Sequence, residues 1–465
     1  MNRYQQLAQK LKRQIKQNTW RAGEKIPSIR AASQSFSVSS ATVLQAYQLL
    51  EAEGWIRAKP QSGYFVTSML DAGQEERVTS SYPRQYNDEL YDFLKINNQA
   101  SIAFGAAFPA PDLFPLQVLN RHLASAGRKM PTNSVIHNLP PGNETLRRII
   151  AQRYLVQGVE VSHQDIVLTS GAMEALNLSL QVLCEPGDTI VIESPAFYGA
   201  LQAAERLQLN VIEVPVNPVK GIDLESLEQA FRDHDVKACW LMVNFQNPTG
   251  ASLSDEAKSK VVRLANHYDV YLIEDDVYAE LHYEVHKPQP LKYWDRQDRV
   301  LLCGSLSKSL CPGYRIGWVV NQCLNDKLQK QQLMSTLAAS APIQQGVAHF
   351  LQHESYDNHL RKLRKHLRAR RDKHIALIKE YFPQRTLIHQ SDGGYFLWLE
   401  LPCEVDTYRL YQILKEKNIS IGYGNLFSSS GQFQHCLRLN ISFEVTSSAS
   451  DAIKEIGQLI ATDSN

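Results

Sequence analysis

The chain has 465 residues, too many for one ordinary domain, and its 43% hydrophobic content is ample for two or three sizeable cores. No apolar run approaches the roughly 18 to 20 residues of a membrane span, the opening Met1-Asn2-Arg3-Tyr4 lacks the apolar core of a secretory signal, and seven scattered cysteines give no Cys-x-x-Cys spacing, so a reduced, cytoplasmic protein is expected. The net charge of +1 is unevenly divided: residues 1–67 carry +7 and the remainder −6, which places any polyanionic partner at the head.

From Tyr4 to Trp20, Leu7, Leu11 and Ile15 recur at helical spacing. Gly23 and Pro27 punctuate a turn, Ser28 caps a short helix over 29–36, and Ser39 or Ser40 caps another through Leu50, ended by Gly54. Trp55-Ile56-Arg57-Ala58-Lys59 and Gly63-Tyr64-Phe65-Val66 read as a hairpin turning at Pro60–Gly63. Three helices and a hairpin make a winged helix-turn-helix, with Tyr47, Leu50, Trp55 and Phe65 expected in its core.

Residues 68–86 are polar and aperiodic, a linker of about 20 residues. Beyond it, short apolar runs at 166–168, 189–192, 210–214, 238–243, 270–273 and 300–302 alternate with helical stretches, the pattern of a largely parallel α/β sheet. Strands at 394–401 and 437–441, mixed with helices, indicate a smaller α+β domain, with boundaries at 87–345 and 346–465. The basic run Arg361–Arg371 carries Leu363 and Leu367 on one face and reads as a solvated helix rather than a second surface for a polyanion.

The chemistry concentrates on Ser305-Leu306-Ser307-Lys308, followed by Arg315 seven positions after the lysine. Such a lysine suits a Schiff base to a phosphorylated aldehyde, with hydroxyls and a guanidinium as phosphate donors. Thr169-Ser170-Gly171-Ala172 opens a helix behind a strand and presents free amides. Asn247-Pro248-Thr249-Gly250 and Glu274-Asp275-Asp276-Val277-Tyr278 also follow strands, so all these groups can converge at the C-terminal edge of a parallel sheet.

The head resembles the GntR family of winged-helix DNA-binding domains, through Gly23, Pro27-Ser28-Ile29-Arg30, Val38-Ser39-Ser40-Ala41-Thr42-Val43, Ala46-Tyr47, Leu50, Gly54 and Gly63–Val66. The resemblance implies contacts to double-stranded DNA by Arg30, Ser39, Ser40 and Thr42, with a wing around Gln61–Gly63. Ser40 stands where many relatives have arginine, and Ser37 where many have glycine. From about residue 100 to 445 the chain resembles the fold-type I enzymes of pyridoxal 5′-phosphate (PLP), in the aminotransferase class I and II group.

That resemblance implies an internal aldimine at Lys308, pairing of Asp275 with the pyridine nitrogen, and hydrogen bonds from Tyr278 and Asn247 to the ring oxygen. It implies phosphate contacts by Gly171, Ala172, Ser305, Ser307 and Arg315, and ring stacking by Phe197. Arg438 would clamp a substrate carboxylate. Asp276, Tyr198 and a purely structural Arg438 remain the alternatives at their positions. His137 stands where relatives have a tyrosine that reaches the neighbouring subunit's phosphate.

A GntR head on an aminotransferase body is the architecture of the MocR subfamily of bacterial transcription regulators. The chain resembles it over nearly its whole length. The expectation is a head-to-tail homodimer that senses an amine, an amino acid or vitamin B6 itself. An active aminotransferase with an accessory head is the competing expectation.

Overall fold

The computed structural model describes residues 2–16, 20, 23–59, 62–67, 86–97, 99–131 and 139–463. The expected linker up to residue 85, the wing tip at Gln61 and His137 lie outside them; Tyr86, expected as the linker's last residue, instead opens the helix Tyr86–Asn97. The chain forms two compact units, divided near residue 77. Among the described residues no helix is long and apolar enough to cross a membrane.

The N-terminal unit holds α1 (Arg3–Lys16), α2 (Ile29–Phe36), α3 (Ser40–Ala52) and the antiparallel pair β1 (Ile56–Lys59) and β2 (Gly63–Val66). Leu7, Leu11 and Ile15 of α1 pack with Val43, Tyr47 and Leu50 of α3. The Tyr47 hydroxyl donates to the Pro27 carbonyl at 2.7 Å, so this buried polar group is satisfied rather than costing about 1–3 kcal/mol. Ser28 Oγ accepts from the Ala31 amide and caps α2, and Ser39 Oγ accepts from the Thr42 amide and caps α3. Ser37, between them, takes φ 50°, the left-handed conformation for which glycine is the unstrained residue.

Two expected core residues of the head are corrected. Trp55 and Phe65 are only partly buried. The Lys12 ammonium lies 5.0 Å from the Trp55 ring and that of Lys59 4.5 Å from the Phe65 ring, so lysine stems cover them from the solvent side.

The C-terminal unit is built on an eight-stranded sheet in the order Ile166–Thr169, Gly317–Val320, Val300–Ser305, Tyr271–Asp275, Val236–Leu241, Thr189–Ser194, Asn210–Asn217, Gly221–Ile222. The five strands from Val300–Ser305 to Asn210–Asn217 pair in parallel. Gly317–Val320 inserts antiparallel between its two neighbours, a strand that the sequence reading did not separate from the Arg315 loop. Val236–Leu241 stops two residues short of the expected strand end.

A second, antiparallel sheet runs Leu387–His389, Phe396–Glu400, Cys436–Asn440, Gly422–Tyr423. The short strand Ile102–Ala103 pairs in parallel with Ile419–Ser420. Residues 104–108 follow it and are pinned from the same side: Asn440 Nδ2 donates to the Ala106 and Phe108 carbonyls at 2.9 and 2.8 Å. This fixes a main-chain segment that bears on the site.

The basic run lies in the helix Tyr356–Tyr381, with Leu360, Leu363 and Leu367 buried. Its charges are not all solvated, which corrects the expectation. Arg364 donates to the Glu280 carbonyl at 3.2 Å and Arg371 to the Ser391 carbonyl at 3.0 Å, while Arg370 reaches Asp112 and the Ser442 carbonyl. Three arginines of the run therefore fasten the helix to the body instead of offering a polyanion a free surface.

Candidate functional site

The C-terminal edge of the parallel strands delivers the chemistry. Asp275 ends the strand Tyr271–Asp275, and Cys303 stands opposite it in the neighbouring strand, three residues past the start of Val300–Ser305. Ser305 ends that strand, and the chain turns over Ser307 and Lys308. Gly171 opens the helix Ala172–Leu183, and Phe197 opens Tyr198–Arg206. Lys308, Asp275, Tyr278, Ser305, Ser307, Arg315, Ala172 and Phe197 all line one cavity of about 280 Å³.

Ser305, Ser307 and Arg315 form one hydrogen-bonded group on the cavity wall. Ser307 N donates to Ser305 Oγ at 3.0 Å, Ser305 Oγ donates to the Ile316 carbonyl at 2.8 Å, and Arg315 Nη1 donates to Ser307 Oγ at 3.3 Å. Arg315 Nη2 donates to the Ser170 carbonyl at 3.2 Å, which holds the guanidinium beside the helix start. Gly171 has φ 91°, and a Cβ there would run into that guanidinium. Only glycine permits the approach.

Asp275 is buried, and its Oδ1 has no hydrogen-bond partner. Burial raises its carboxyl to about 7, against the opposing field of Lys308. Asp276 turns elsewhere and accepts from Asn244 Nδ2 at 3.0 Å. Of the adjacent pair, Asp275 is the one on the cavity wall. Lys308 keeps some exposure to the cavity, and desolvation lowers its amine to about 7, with Asp275 opposing and Arg315 and Arg438 reinforcing. Its Nζ donates to the Ala107 carbonyl at 2.7 Å and lies 4.4 Å from the Phe108 ring centre and 5.9 Å from that of Tyr278. Phe197 and Tyr198 both reach the cavity, 4.8 Å apart and tilted by 44°.

Asn247 and Arg438 are together but off the cavity wall. Arg438 is fully buried in the strand Cys436–Asn440; its Nη1 donates to Asn247 Oδ1 at 2.9 Å and its Nη2 to the Gly105 carbonyl at 2.6 Å. The Phe396 ring lies 4.3 Å from its guanidinium carbon. Arg438 Nε and Asn247 Nδ2 are buried without partners. The segment Gly105–Phe108 thus occupies donors of both Lys308 and Arg438, a role that sequence reasoning missed because the segment has no motif. Asn97, buried on the cavity wall with both amide atoms unpartnered, was missed as well. Its signal was a polar residue on the apolar face of the helix Tyr86–Asn97.

The residues fit PLP. A fixed donor cluster stands on the cavity wall, a buried carboxyl with a free oxygen faces the same space, and a desolvated amine lies on the same wall.

In the head, Arg30, Ser39 and Ser40 are exposed and Thr42 is half-buried. Ser39 Oγ is already engaged, with the Thr42 amide and with Thr42 Oγ1 at 2.8 Å. Leu44, Gln45 and Gln48 also face solvent from α3.

Comparison with known proteins agrees with both parts. Residues 119–453 match the family aminotransferase class I and II, and residues 3–66 match the bacterial regulatory proteins of the gntR family. The chain is 45% identical to the HTH-type transcriptional regulator YdcR of Escherichia coli K12, over 99% of both chains. It is 35% identical to the HTH-type transcriptional regulator YjiR of the same strain, again over 99% of both. Among solved structures, a kynurenine aminotransferase of Pyrococcus horikoshii in complex with PMP superposes with a TM-score of 0.74 at 27% identity, covering 81% of this chain and 95% of that one.

Proposed function

Since the chain belongs to the GntR-headed transcription regulators with a class I and II aminotransferase body, the MocR subfamily, it is a PLP-dependent DNA-binding regulator, and we propose that it reads an amino compound, or the cofactor itself, at Lys308. The observation that carries this is the cavity in which Lys308, Asp275 and the donors of Ser305, Ser307 and Arg315 meet. When bound, PLP supplies an aldehyde that reacts with primary amines and a ring that draws electrons from the carbon next to the amine. Lys308, half-deprotonated near neutral pH, is the amine that holds it. Asp275 would pair with the ring nitrogen, and Tyr278 and Asn247 would hold the ring oxygen. Gly171, Ala172, Ser305, Ser307 and Arg315 would hold the phosphate, Phe197 would pack on the ring, and Arg438 would receive an effector carboxylate.

The reading extends to a head-to-tail homodimer in the cytoplasm, where two heads read two half-sites and effector binding shifts the population of head placements. His137 is proposed to reach the partner's phosphate. The four head residues Arg30, Ser39, Ser40 and Thr42 are proposed at the DNA surface. A second reading, amine transfer between amino and 2-oxo acids, is favoured by one observation: an amine lowered to about 7 is matched to a general base.

A genome-wide DNA-binding map of the protein beside its Lys308→Ala variant tests the proposal. Discrete sites whose occupancy changes in the variant support it. Identical maps, together with steady amino-acid turnover by the wild type, favour the enzyme.

A further inference from the structure

Three imidazoles meet where the helix Ala341–His353 packs on the helix Leu116–Arg128. His349 and His353 are four residues apart, the spacing that stacks side chains on one helix face. Their rings are 4.1 Å apart and nearly parallel. His122 comes from the other helix, 5.0 Å from His349 and 6.2 Å from His353 between ring centres. One ligand nitrogen from each residue falls within 4.8 Å of the other two.

The outer hydrogen bonds decide where the protons sit. His353 Nδ1 faces the His349 carbonyl at 2.7 Å, and His122 Nε2 faces Glu354 Oε1 at 3.0 Å. Neither oxygen has a proton to give, so each of these nitrogens is the donor. Neutral His353 then carries its lone pair on Nε2, and neutral His122 carries its own on Nδ1, which lies 2.7 Å from His349 Nδ1. A carbonyl or carboxylate behind the ring is the support that metal-ligating histidines use to fix their tautomer.

We propose that His122, His349 and His353 bind one divalent transition-metal ion of the zinc class, with Glu354 orienting His122 and a fourth position open to water. Three nitrogens and no ligand oxygen disfavour magnesium and calcium. Zinc–nitrogen bonds of about 2.0–2.1 Å in tetrahedral geometry put ligand nitrogens about 3.3 Å apart, so the His122–His349 pair need open only by roughly 0.6 Å. The ion would clip the two helices together, independently of PLP.

Calorimetry with zinc chloride on the chelator-treated full chain tests this, with cobalt(II) absorbance reporting the ligands. The expected result is one saturable site per chain and the visible bands of tetrahedral cobalt. His122→Asn and His353→Asn should each weaken binding at least about tenfold, and Glu354→Gln by about 10- to 100-fold. Unchanged far-ultraviolet dichroism and PLP absorbance show that the variants fold. No saturable uptake, uptake that survives His122→Asn/His353→Asn, or a sulfur-to-cobalt band assigning the ion to the exposed Cys323 or Cys403 would each overturn the proposal.

Discussion

Lys308 and Asp275 act on each other's protons in a shared cavity: burial lowers the amine to about 7 and raises the carboxyl to about 7, and each charge opposes the other's shift. Their apparent titrations belong to the pair. The amine reacts with an aldehyde only when neutral. The rate at which cofactor-free protein captures PLP should therefore rise as pH passes through about 7. Asp275→Asn removes the charge that favours the ammonium, so the rise should move to lower pH, by roughly one pH unit. Stopped-flow absorbance across pH reads this, and an unmoved midpoint in Asp275→Asn would refute the coupling.

The same pair makes the cofactor-free body's stability depend on pH. Asp275 has its folded value above its ordinary 3.8, so between that and about 7 the folded chain holds more protons than the unfolded one, and its contribution falls as pH rises. Lys308 has its folded value below its ordinary 10.5; from about 7 upward the unfolded chain holds more protons, and its contribution grows with pH. The pair's contribution is thus smallest near neutrality. Thermal unfolding of cofactor-free wild type, compared across pH with Lys308→Met/Asp275→Asn, should show that dip only in the wild type.

Gly171→Ala tests the phosphate end. Its φ of 91° strains any L side chain, and the new Cβ would displace the Arg315 guanidinium. The expected cost is about 1–3 kcal/mol in stability. PLP affinity should drop at least tenfold, a loss of about 1.4 kcal/mol in binding. Titration by cofactor absorbance measures it, and wild-type affinity would exclude a phosphate role for this helix start.

Arg438 and Asn247 predict a response to carboxylates that waits on the segment Gly105–Phe108. The Gly105 carbonyl takes one Arg438 nitrogen and the Ala107 carbonyl takes Lys308 Nζ, so a carboxylate ligand competes with main chain for the arginine. Arg438→Lys keeps the charge and loses the fork. It should retain PLP while the spectral response to amino acids weakens by at least tenfold relative to that for simple amines, about 1.4 kcal/mol. Equal responses to both in the variant and the wild type would remove Arg438 from effector binding.

Local signals explain what the sequence made legible. Ser28 and Ser39 announce their helices because capping needs only an oxygen three residues before an amide. Lys308, Asp275 and Gly171 were legible because each lies at or just past the end of a short apolar strand, and strand ends of a parallel sheet converge. The segment Gly105–Phe108 was not legible: Asn440 and Ser420, more than 300 residues away, hold it in place. The inward turn of Arg364, Arg370 and Arg371 escaped because their carbonyl acceptors, 20 to 84 residues away, lie outside the helix whose pattern was read. Helix periodicity separates apolar from charged faces, but it does not reveal which charges find a buried acceptor.

The head separates two serine and arginine roles that sequence alone merges. Ser39 spends its side-chain oxygen on the Thr42 amide and hydroxyl, so Ser39→Ala should cost the head about 1 kcal/mol of stability. Its effect on DNA should follow that loss of folding and vanish at low temperature, where the head stays folded. Arg30 is exposed near the start of α2, the helix that crosses the phosphate backbone in such motifs. Removing one phosphate contact lowers the slope of log affinity against log salt by about 0.9. Arg30→Ala should therefore weaken binding evenly across sequences and flatten the salt dependence by about that amount. Fluorescence anisotropy with specific and scrambled duplexes at several salt concentrations decides it: an unchanged slope with relaxed preference at one base pair would make Arg30 a base reader instead.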